Sequence, residues 1–370
     1  MKDIISRYLK YGDGQLFDYG EVVEPQYYDW TYAKSHFCDE YFMSMYDFKS
    51  HEISFCGTLT GCTMINILGD SLRTWSVDVG VDVEGLSKAM NMDHVYGYID
   101  LPNLERDLFA INEMYDVPRA SIEDIYAYSR QRELSKRGIK KIYCEGGSDW
   151  LLLGYEKIYA AVMALAIKRK EYSLLKAAQY GSAKSIMTDR PPSSYIESFF
   201  LRNVIFPDNE LEDLGLEPHR PSLREDKLDH IIRFAFDWGY NNVYKRRTKI
   251  FGDHFNLNIY SPFFNNEKFI EFCLSLPMEM KYCLGRGKHI LKESVPVSDE
   301  VKDRIIPKLS DHIYKYIKND FNILLKKYFN NKHNILFKYL PFDVVQNHLE
   351  NYMHSWQLLN LAIWLEIHDG

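Results

Sequence analysis

The chain has 370 residues, of which 46% are hydrophobic and 26% are charged. This balance is typical of a globular protein and excludes a disordered, collagen-like or coiled-coil chain. Its 45 Lys and Arg against 52 Asp and Glu give a formal net charge of −7, so we expect no nucleic-acid partner. No apolar stretch approaches the ~20 residues that cross a bilayer, and we expect a cytoplasmic protein with no membrane partner.

The six cysteines are scattered along the chain, without a CxxC pair or a histidine at metal-ligand spacing. We therefore expect free thiols, as in a reducing compartment. Cys56 and Cys62 flank a glycine-containing loop, where two small buried side chains are a better explanation than thiol chemistry.

Residues 1–50 are rich in Tyr, Asp and Phe and show no clean period, so we predict a short helix and a loop-rich N-terminal collar. Residues 51–170 alternate between strand-like and helix-like stretches, which predicts an α/β core of parallel strands joined by crossover helices. Ser121 is the predicted N-cap of the fourth helix. The predicted strands are residues 51–57, 74–79, 94–100 and 140–144, and the predicted helices are residues 62–68, 83–92, 104–115, 121–137 and 150–170.

Residues 171–370 have a mainly helical pattern that is interrupted by prolines. We expect this region to pack over the core and complete a site. Its clearest predicted helices are residues 228–238, 267–276, 288–295 and 348–368.

Two glycine-containing loops follow predicted strands, where ligands bind in parallel α/β sheets. In residues 56–63 (CGTLTGCT), glycine lets the backbone approach an anion at the start of a helix. Residues 146–149 (GGSD) add Asp149, a carboxylate able to hold Mg²⁺. Neither loop matches a Walker A or a GxGxxG motif. A tight strand-to-helix turn that needs glycine is therefore an alternative explanation for the glycines of each loop.

A third loop, residues 283–293 (CLGRGKHILKE), places Lys288 at the start of a predicted helix. A cation there has the wrong sign for the helix dipole. Its position is explained if it meets a bound phosphate or a developing negative charge, and an exposed loop lysine explains it equally well.

Taken together, the chain over residues 50–370 resembles the synthetase domain of the asparagine synthetase family, which includes β-lactam synthetase and the lasso-peptide cyclases. Residues 261–265 (SPFFN) resemble the PFLD segment of that family. Residues 287–293 (GKHILKE) are similar to its K-x-I-L-R-E helix start, and residues 356–365 (WQLLNLAIWL) resemble its closing helix.

This resemblance implies an adenine nucleotide α-hydrolase (Rossmann-like) fold, with a nucleotide-binding core at residues 51–170 and a helical synthetase region at residues 171–370. It implies ATP and Mg²⁺, with adenylation of a carboxylate followed by displacement of AMP by a nitrogen nucleophile. It assigns catalysis to Lys288 and metal binding to Asp149. The nucleotide-binding residues that it implies are Gly57, Thr58, Thr60, Gly61, Cys62, Asp78, Gly147 and Ser148.

The chain also departs from the family pattern. Thr60 stands where the family has a metal-binding Asp, and four further charged family positions carry Trp150, Asn258, Tyr260 and Asn265. Residue 2 is lysine, not the nucleophilic cysteine of the family's glutaminase domain, so ammonia derived from glutamine is expected to come from a separate glutaminase.

Two hypotheses follow from these matches and departures. In the first, the chain is an AMP-forming amide ligase that joins a small-molecule or peptide carboxylate to an amine or ammonia, in a specialised biosynthetic or modification pathway. In the second, it is a catalytically inactive relative that acts as a binding or partner subunit.

Overall fold

The computed structural model describes residues 1–11, 13–14, 23, 26–46, 48–69, 72–77, 83–90, 92–97, 103–119, 121–154, 206–218, 233, 236–237, 239, 244–283, 286–302 and 309–370. The strands are β1 (Glu52–Ser54), β2 (Arg73–Val77), β3 (Asp93–Gly97), β4 (Lys141–Cys144), β5 (Asn258–Tyr260), β6 (Tyr282–Cys283) and β7 (Arg286–Gly287). The helices up to β5 are α1 (Lys2–Tyr11), α2 (Trp30–Tyr46), α3 (Leu59–Leu68), α4 (Val83–Ala89), α5 (Leu104–Glu113), α6 (Glu123–Lys136), α7 (Ser148–Leu151), α8 (Asp208–Asp213) and α9 (Arg246–Phe255). The later helices are α10 (Pro262–Asn265), α11 (Glu267–Ser275), α12 (Met278–Lys281), α13 (His289–Ser294), α14 (Asp299–Lys302), α15 (Leu309–Phe329), α16 (Phe342–His348) and α17 (Tyr352–His368), with a 3₁₀ turn at Ile335–Lys338.

The core of the fold is a five-stranded sheet with the order β3-β2-β1-β4-β5, and every neighbouring pair is parallel. This architecture confirms the predicted Rossmann-like α/β class with a mainly helical C-terminal region. The strand order reverses between β1 and β4, and in such sheets ligands bind beyond the carboxyl ends of the strands at that reversal. The fold therefore points to the segments that follow β1 and β4.

The segment after β1 is more helical than the sequence predicted. Helix α3 begins at Leu59 and not at Cys62, because the Thr58 side chain accepts a hydrogen bond from the backbone N–H of Gly61 and caps the helix. Thr60, Gly61 and Cys62 consequently lie in the first turns of α3, and the predicted loop is shortened to its first half.

Helix α2 was not predicted from the sequence, which indicated only a short helix in residues 1–50. It packs against α3, α10, α11 and α13, and buries Phe37 and Tyr41 completely. Phe42 and Met43 on the same helix are exposed, so apolar side chains surround the helix and leave no helical period to detect.

Two other helix boundaries correct the sequence prediction. The helix predicted from residue 150 to 170 ends at Leu151, where Leu153 adopts a left-handed conformation with φ of 56°. Its remainder, from residue 155, lies outside the described residues, as does most of the helix predicted at residues 228–238. The N-cap of α6 is Ile122, without a capping side chain, so Ser121 does not have the predicted role.

The closing helix α17 is confirmed, starting at Tyr352 behind the cap residue Asn351. It is buried along most of its length and packs against α5 and α15. Within the described part of the chain, no helix is long and apolar enough to cross a membrane.

Candidate active site

The two glycine-containing segments meet where β1 and β4 end. The strands are neighbours, with Ser54 paired to Cys144, so the helices that follow them start side by side. The hydroxyl groups of Thr60 and Ser148 lie 2.6 Å apart and both residues are fully buried. This hydrogen bond joins the first turn of α3 to the first turn of α7. The predicted nucleotide-binding residues of the two segments therefore share one place in the fold.

Backbone geometry accounts for two of the glycines. Gly57 has φ of 74° and Gly147 has φ of 104°, values that side-chain-bearing residues rarely adopt. A Cβ added at Gly147 would also lie 2.6 Å from the Cβ of Phe263. The turn explanation left open by the sequence is sufficient for these two glycines, so they are not by themselves a ligand signal.

The strongest site feature is an ion pair between residues far apart in sequence. The ammonium nitrogen of Lys288 lies 2.9 Å from Asp149 Oδ1, and the two side chains are 13% and 33% exposed. Lys288 is therefore not the exposed loop lysine that was the alternative explanation. The pair places a cation and a carboxylate, each with some solvent access, beside the start of α7.

The backbone holds Lys288 in an unusual conformation. Its φ is 59°, in the left-handed region that costs an L-residue about 1 kcal/mol. The Lys288 N–H donates to the carbonyl of Leu152 at 2.7 Å, which ties the start of α13 to the end of α7. Strained backbone that the surroundings hold in place is frequent at functional sites.

A carboxylate that the sequence analysis missed enters the first segment. The Cys56 N–H donates to Glu145 Oε1 at 2.6 Å, and the Thr58 hydroxyl donates to Glu145 Oε2. Glu145 keeps some exposed surface, but its carboxyl group is enclosed. Burial raises the pKa of that carboxyl to about 7, although the two hydrogen-bond donors and the charge of Lys288 act to lower the pKa. A charged residue between an apolar strand and two glycines is the sequence signal that could have identified it.

The setting of the Cys56 thiol disfavours the thiolate form that a nucleophile needs. Burial, followed by the charge of Glu145, raises its pKa to about 12. The six cysteines are all free, which confirms the expectation of unpaired thiols.

The residues at neutralised family positions have structural contacts. Trp150 is buried and packs where Gly239 leaves space for its ring. Asn265 accepts a hydrogen bond from the Ser261 N–H at 2.9 Å, and Tyr260 stacks on Phe48. Asn258 is exposed in β5.

The described residues fit a magnesium ion held by a single protein carboxylate. Asp149 is accessible, and Mg²⁺ in phosphate sites commonly takes one or two carboxylates together with waters and phosphate oxygens. Thr60 offers no free ligand, because its hydroxyl is buried against Ser148. Among the residues that the structure describes, no three His, Cys, Asp or Glu side chains converge as a metal site. Asp78, the residue expected near adenine, lies outside the described residues.

Comparison with protein families identifies a matching family. A family model described as asparagine synthase matches residues 81–366, which is most of the chain. The matched range contains Glu145, Asp149 and Lys288 and begins after the first glycine-containing segment. No curated protein matches the sequence.

The raised pKa of Glu145 predicts a pH-dependent stability. A carboxyl group whose pKa is higher in the folded chain than in the unfolded chain stabilises the fold at low pH, and this stabilisation is lost as pH rises through the folded value. Between pH 5 and pH 8.5 we expect the unfolding free energy of wild type to fall relative to Glu145→Gln by about 3 kcal/mol. Denaturant unfolding at both pH values measures it, with the exposed Glu113→Gln as the charge-matched control. Parallel pH profiles of wild type and Glu145→Gln would contradict the assignment.

The ion pair predicts the effect of a single added methyl group. A Cβ at residue 154 would contact Asp149 Oδ1 and would lie 2.6 Å from Lys288 Cε. Both are parts of flexible side chains, so we expect Gly154→Ala to separate the pair while the chain still folds. Reductive methylation followed by mass spectrometry should show faster labelling of Lys288 than in wild type. Lys249, which is 71% exposed, is the internal control; an unchanged Lys288 rate would disprove the contact.

Proposed function

The chain belongs to the asparagine synthase family of ATP-dependent amide ligases, and we propose that it is an active, AMP-forming member that adenylates a carboxylate and transfers the acyl group to an amine or ammonia. The observation that carries the proposal is the ion pair of Lys288 with Asp149, two residues that the sequence places on separate loops. A partly enclosed lysine with a left-handed backbone is a costly feature, and charge stabilisation in a reaction accounts for it.

In the first half-reaction, a carboxylate oxygen of the substrate attacks the α-phosphorus of ATP. A new phosphorus–oxygen bond forms, the bond to the β-phosphate oxygen breaks, and pyrophosphate leaves with the bonding electrons. The proposed role of Lys288 is to stabilise the negative charge that accumulates on the α-phosphate oxygens. A fixed cation in a partly enclosed site stabilises such charge strongly.

In the second half-reaction, the nitrogen nucleophile attacks the acyl carbon of the mixed anhydride. The carbonyl oxygen becomes an oxyanion, the carbon–oxygen bond to AMP then breaks, and the nitrogen loses a proton to give the amide. The Lys288 ammonium is the proposed partner of that oxyanion. Lys288 is held beside the end of α7, and we propose that this one cation serves both steps.

Asp149 is the proposed ligand of Mg²⁺. When bound, the ion would neutralise phosphate charge and polarise the phosphoryl oxygens. The accessible face of the Asp149 carboxylate and its place in the first turn of α7 support this role.

The remaining nucleotide-binding residues stay proposals with differing support. Gly57, Thr58, Gly147 and Ser148 lie at the switch point between β1 and β4, where phosphate is favoured by the starts of α3 and α7. Thr60, Gly61 and Cys62 support the site from within the first turns of α3. The hydroxyl or N–H of each has an internal partner, as do the hydroxyls of Thr58 and Ser148.

The substrates are proposed only by class: a small-molecule or peptide carboxylate, and an amine or ammonia that a separate glutaminase could supply. Residues 171–256, where we expect acceptor specificity, lie largely outside the described residues. The alternative hypothesis, a catalytically inactive relative, is tested by the following two experiments.

The metal role of Asp149 predicts a magnesium-specific loss. Isothermal titration with ATP should show binding that is tightened by Mg²⁺, and Asp149→Asn should weaken magnesium-dependent binding at least ~10-fold, about 1.4 kcal/mol, without affecting binding in EDTA. Asp253→Asn is the matched control, because Asp253 also pairs with a lysine, at 2.6 Å, but on the exposed face of α9. No binding of ATP at millimolar concentration would contradict the ligase proposal.

The catalytic role of Lys288 predicts loss of turnover with retained ATP binding. We expect Lys288→Ala to lower ATP-dependent pyrophosphate release, assayed with a panel of amino acids and dicarboxylates plus ammonium, by 10²-fold or more. Its circular dichroism spectrum should match that of wild type. Lys249→Ala, which breaks the surface pair with Asp253, should leave release unchanged. Equal release by wild type and Lys288→Ala would remove Lys288 from the mechanism.

A further inference from the structure

The first segment is already occupied by an anion that belongs to the chain. Glu145 extends from the end of β4 across to the segment after β1, where one carboxylate oxygen accepts from the Cys56 N–H and the other from the Thr58 hydroxyl. A backbone N–H and a hydroxyl before a helix N-terminus are the donors that a phosphate would use there. Both donors are satisfied by Glu145 instead.

The carboxyl group also fills the space of that segment. A Cβ added at Gly61 would contact Glu145 Oε1 and would lie 2.7 Å from the Phe55 ring. The missing side chain of Gly61 thus makes room for the Glu145 carboxylate. A phosphate oxygen bound to the same donors would overlap with it, and two anions at such distance repel each other strongly in an enclosed site.

The cations around this segment would stabilise either the Glu145 carboxylate or a bound phosphate. Lys288 and Arg130 both act on the charge of Glu145. Arg130 donates to Ser54 Oγ at 2.6 Å, directly before the segment, and its guanidinium stacks on Tyr126. These cations would remain to hold a phosphate if the carboxylate withdrew.

We propose that Glu145 is an internal competitor of the nucleotide: its carboxylate occupies the place of a phosphate group, and ATP or pyrophosphate binds fully only when the side chain withdraws. The inference rests on the proposed function, because it requires that the segment after β1 receives phosphate. Glu145 is thus a positioning residue that sets nucleotide affinity and takes no part in the bonds that form or break.

Two variants separate the charge of the side chain from its reach. Glu145→Gln keeps the length and removes the charge, whereas Glu145→Asp keeps the charge but is one methylene too short to satisfy the Cys56 N–H. If the carboxylate competes with phosphate, both variants bind the probe more tightly than wild type. We expect a decrease in Kd of at least ~10-fold, the effect of one charged hydrogen bond.

The test is isothermal titration of the full chain at pH 8.5, where the Glu145 carboxyl is ionised, with inorganic pyrophosphate and with ATP, each with and without Mg²⁺. Glu113→Gln, an exposed residue at the end of α5, controls for the change of net charge and should match wild type. If one variant lacks the wild-type circular dichroism spectrum, the other decides.

Each outcome of the titrations bears on the proposal. Tighter binding by both folded variants supports it. Weaker magnesium-dependent binding by Glu145→Gln overturns it and makes the carboxylate a metal ligand. Equal affinities for wild type and both variants also overturn it but leave the ligase proposal standing. Absence of ATP binding by every variant overturns the proposed function and the competitor with it.

Discussion

The site depends on the adjacency of β1 and β4 in a parallel sheet. Because all five strands run in one direction, the helices that follow these two neighbours start at the same edge, and the hydrogen bond between Thr60 and Ser148 fixes their first turns to each other. The candidate phosphate-binding residues that the structure describes are arranged around this junction. Lys288 joins it from the C-terminal half through the hydrogen bond of its N–H to Leu152.

Charged side chains lie at this junction although Thr60 is neutral. The position expected to carry a metal-binding Asp holds Thr60, which is buried and hydrogen-bonded, while Glu145 brings a carboxylate into the neighbouring segment. Asp149 and Lys288 supply one charge of each sign. If the proposed nucleotide site is correct, the internal carboxylate and the incoming phosphates must be kept apart when ATP binds.

The sequence predicted strands β1 to β4 and the general position of the site because alternating apolar runs and the following glycines are local signals. It could not predict β5, a short strand within a region whose sequence pattern is mainly helical, or α2, whose apolar residues surround the helix. It placed Leu59 to Gly61 in a loop because the capping of α3 by Thr58 depends on side-chain geometry. Asp149 and Lys288 were identified as separate candidates, but their 2.9 Å contact follows from tertiary structure. Glu145 was missed because its hydrogen bonds are made to the segment after the neighbouring strand β1, which tertiary structure brings beside it.

Helix α2 has a consequence for how the protein can be divided. The Tyr41 hydroxyl lies 3.2 Å from Thr63 Oγ1 in α3, its ring packs against Phe263, and Cys38 Sγ donates to the Ser294 carbonyl at the end of α13. Trp30 meets the ring of His289, the residue next to Lys288. Helix α2 thereby contacts both α3 and α13, the helices that carry Thr60 and follow Lys288, although α2 lies before the range matched by the family. A chain shortened to the matched range, or a chimera that exchanges only that range, would lose these contacts along with β1 and β2, so the transplantable unit includes the N-terminal helices.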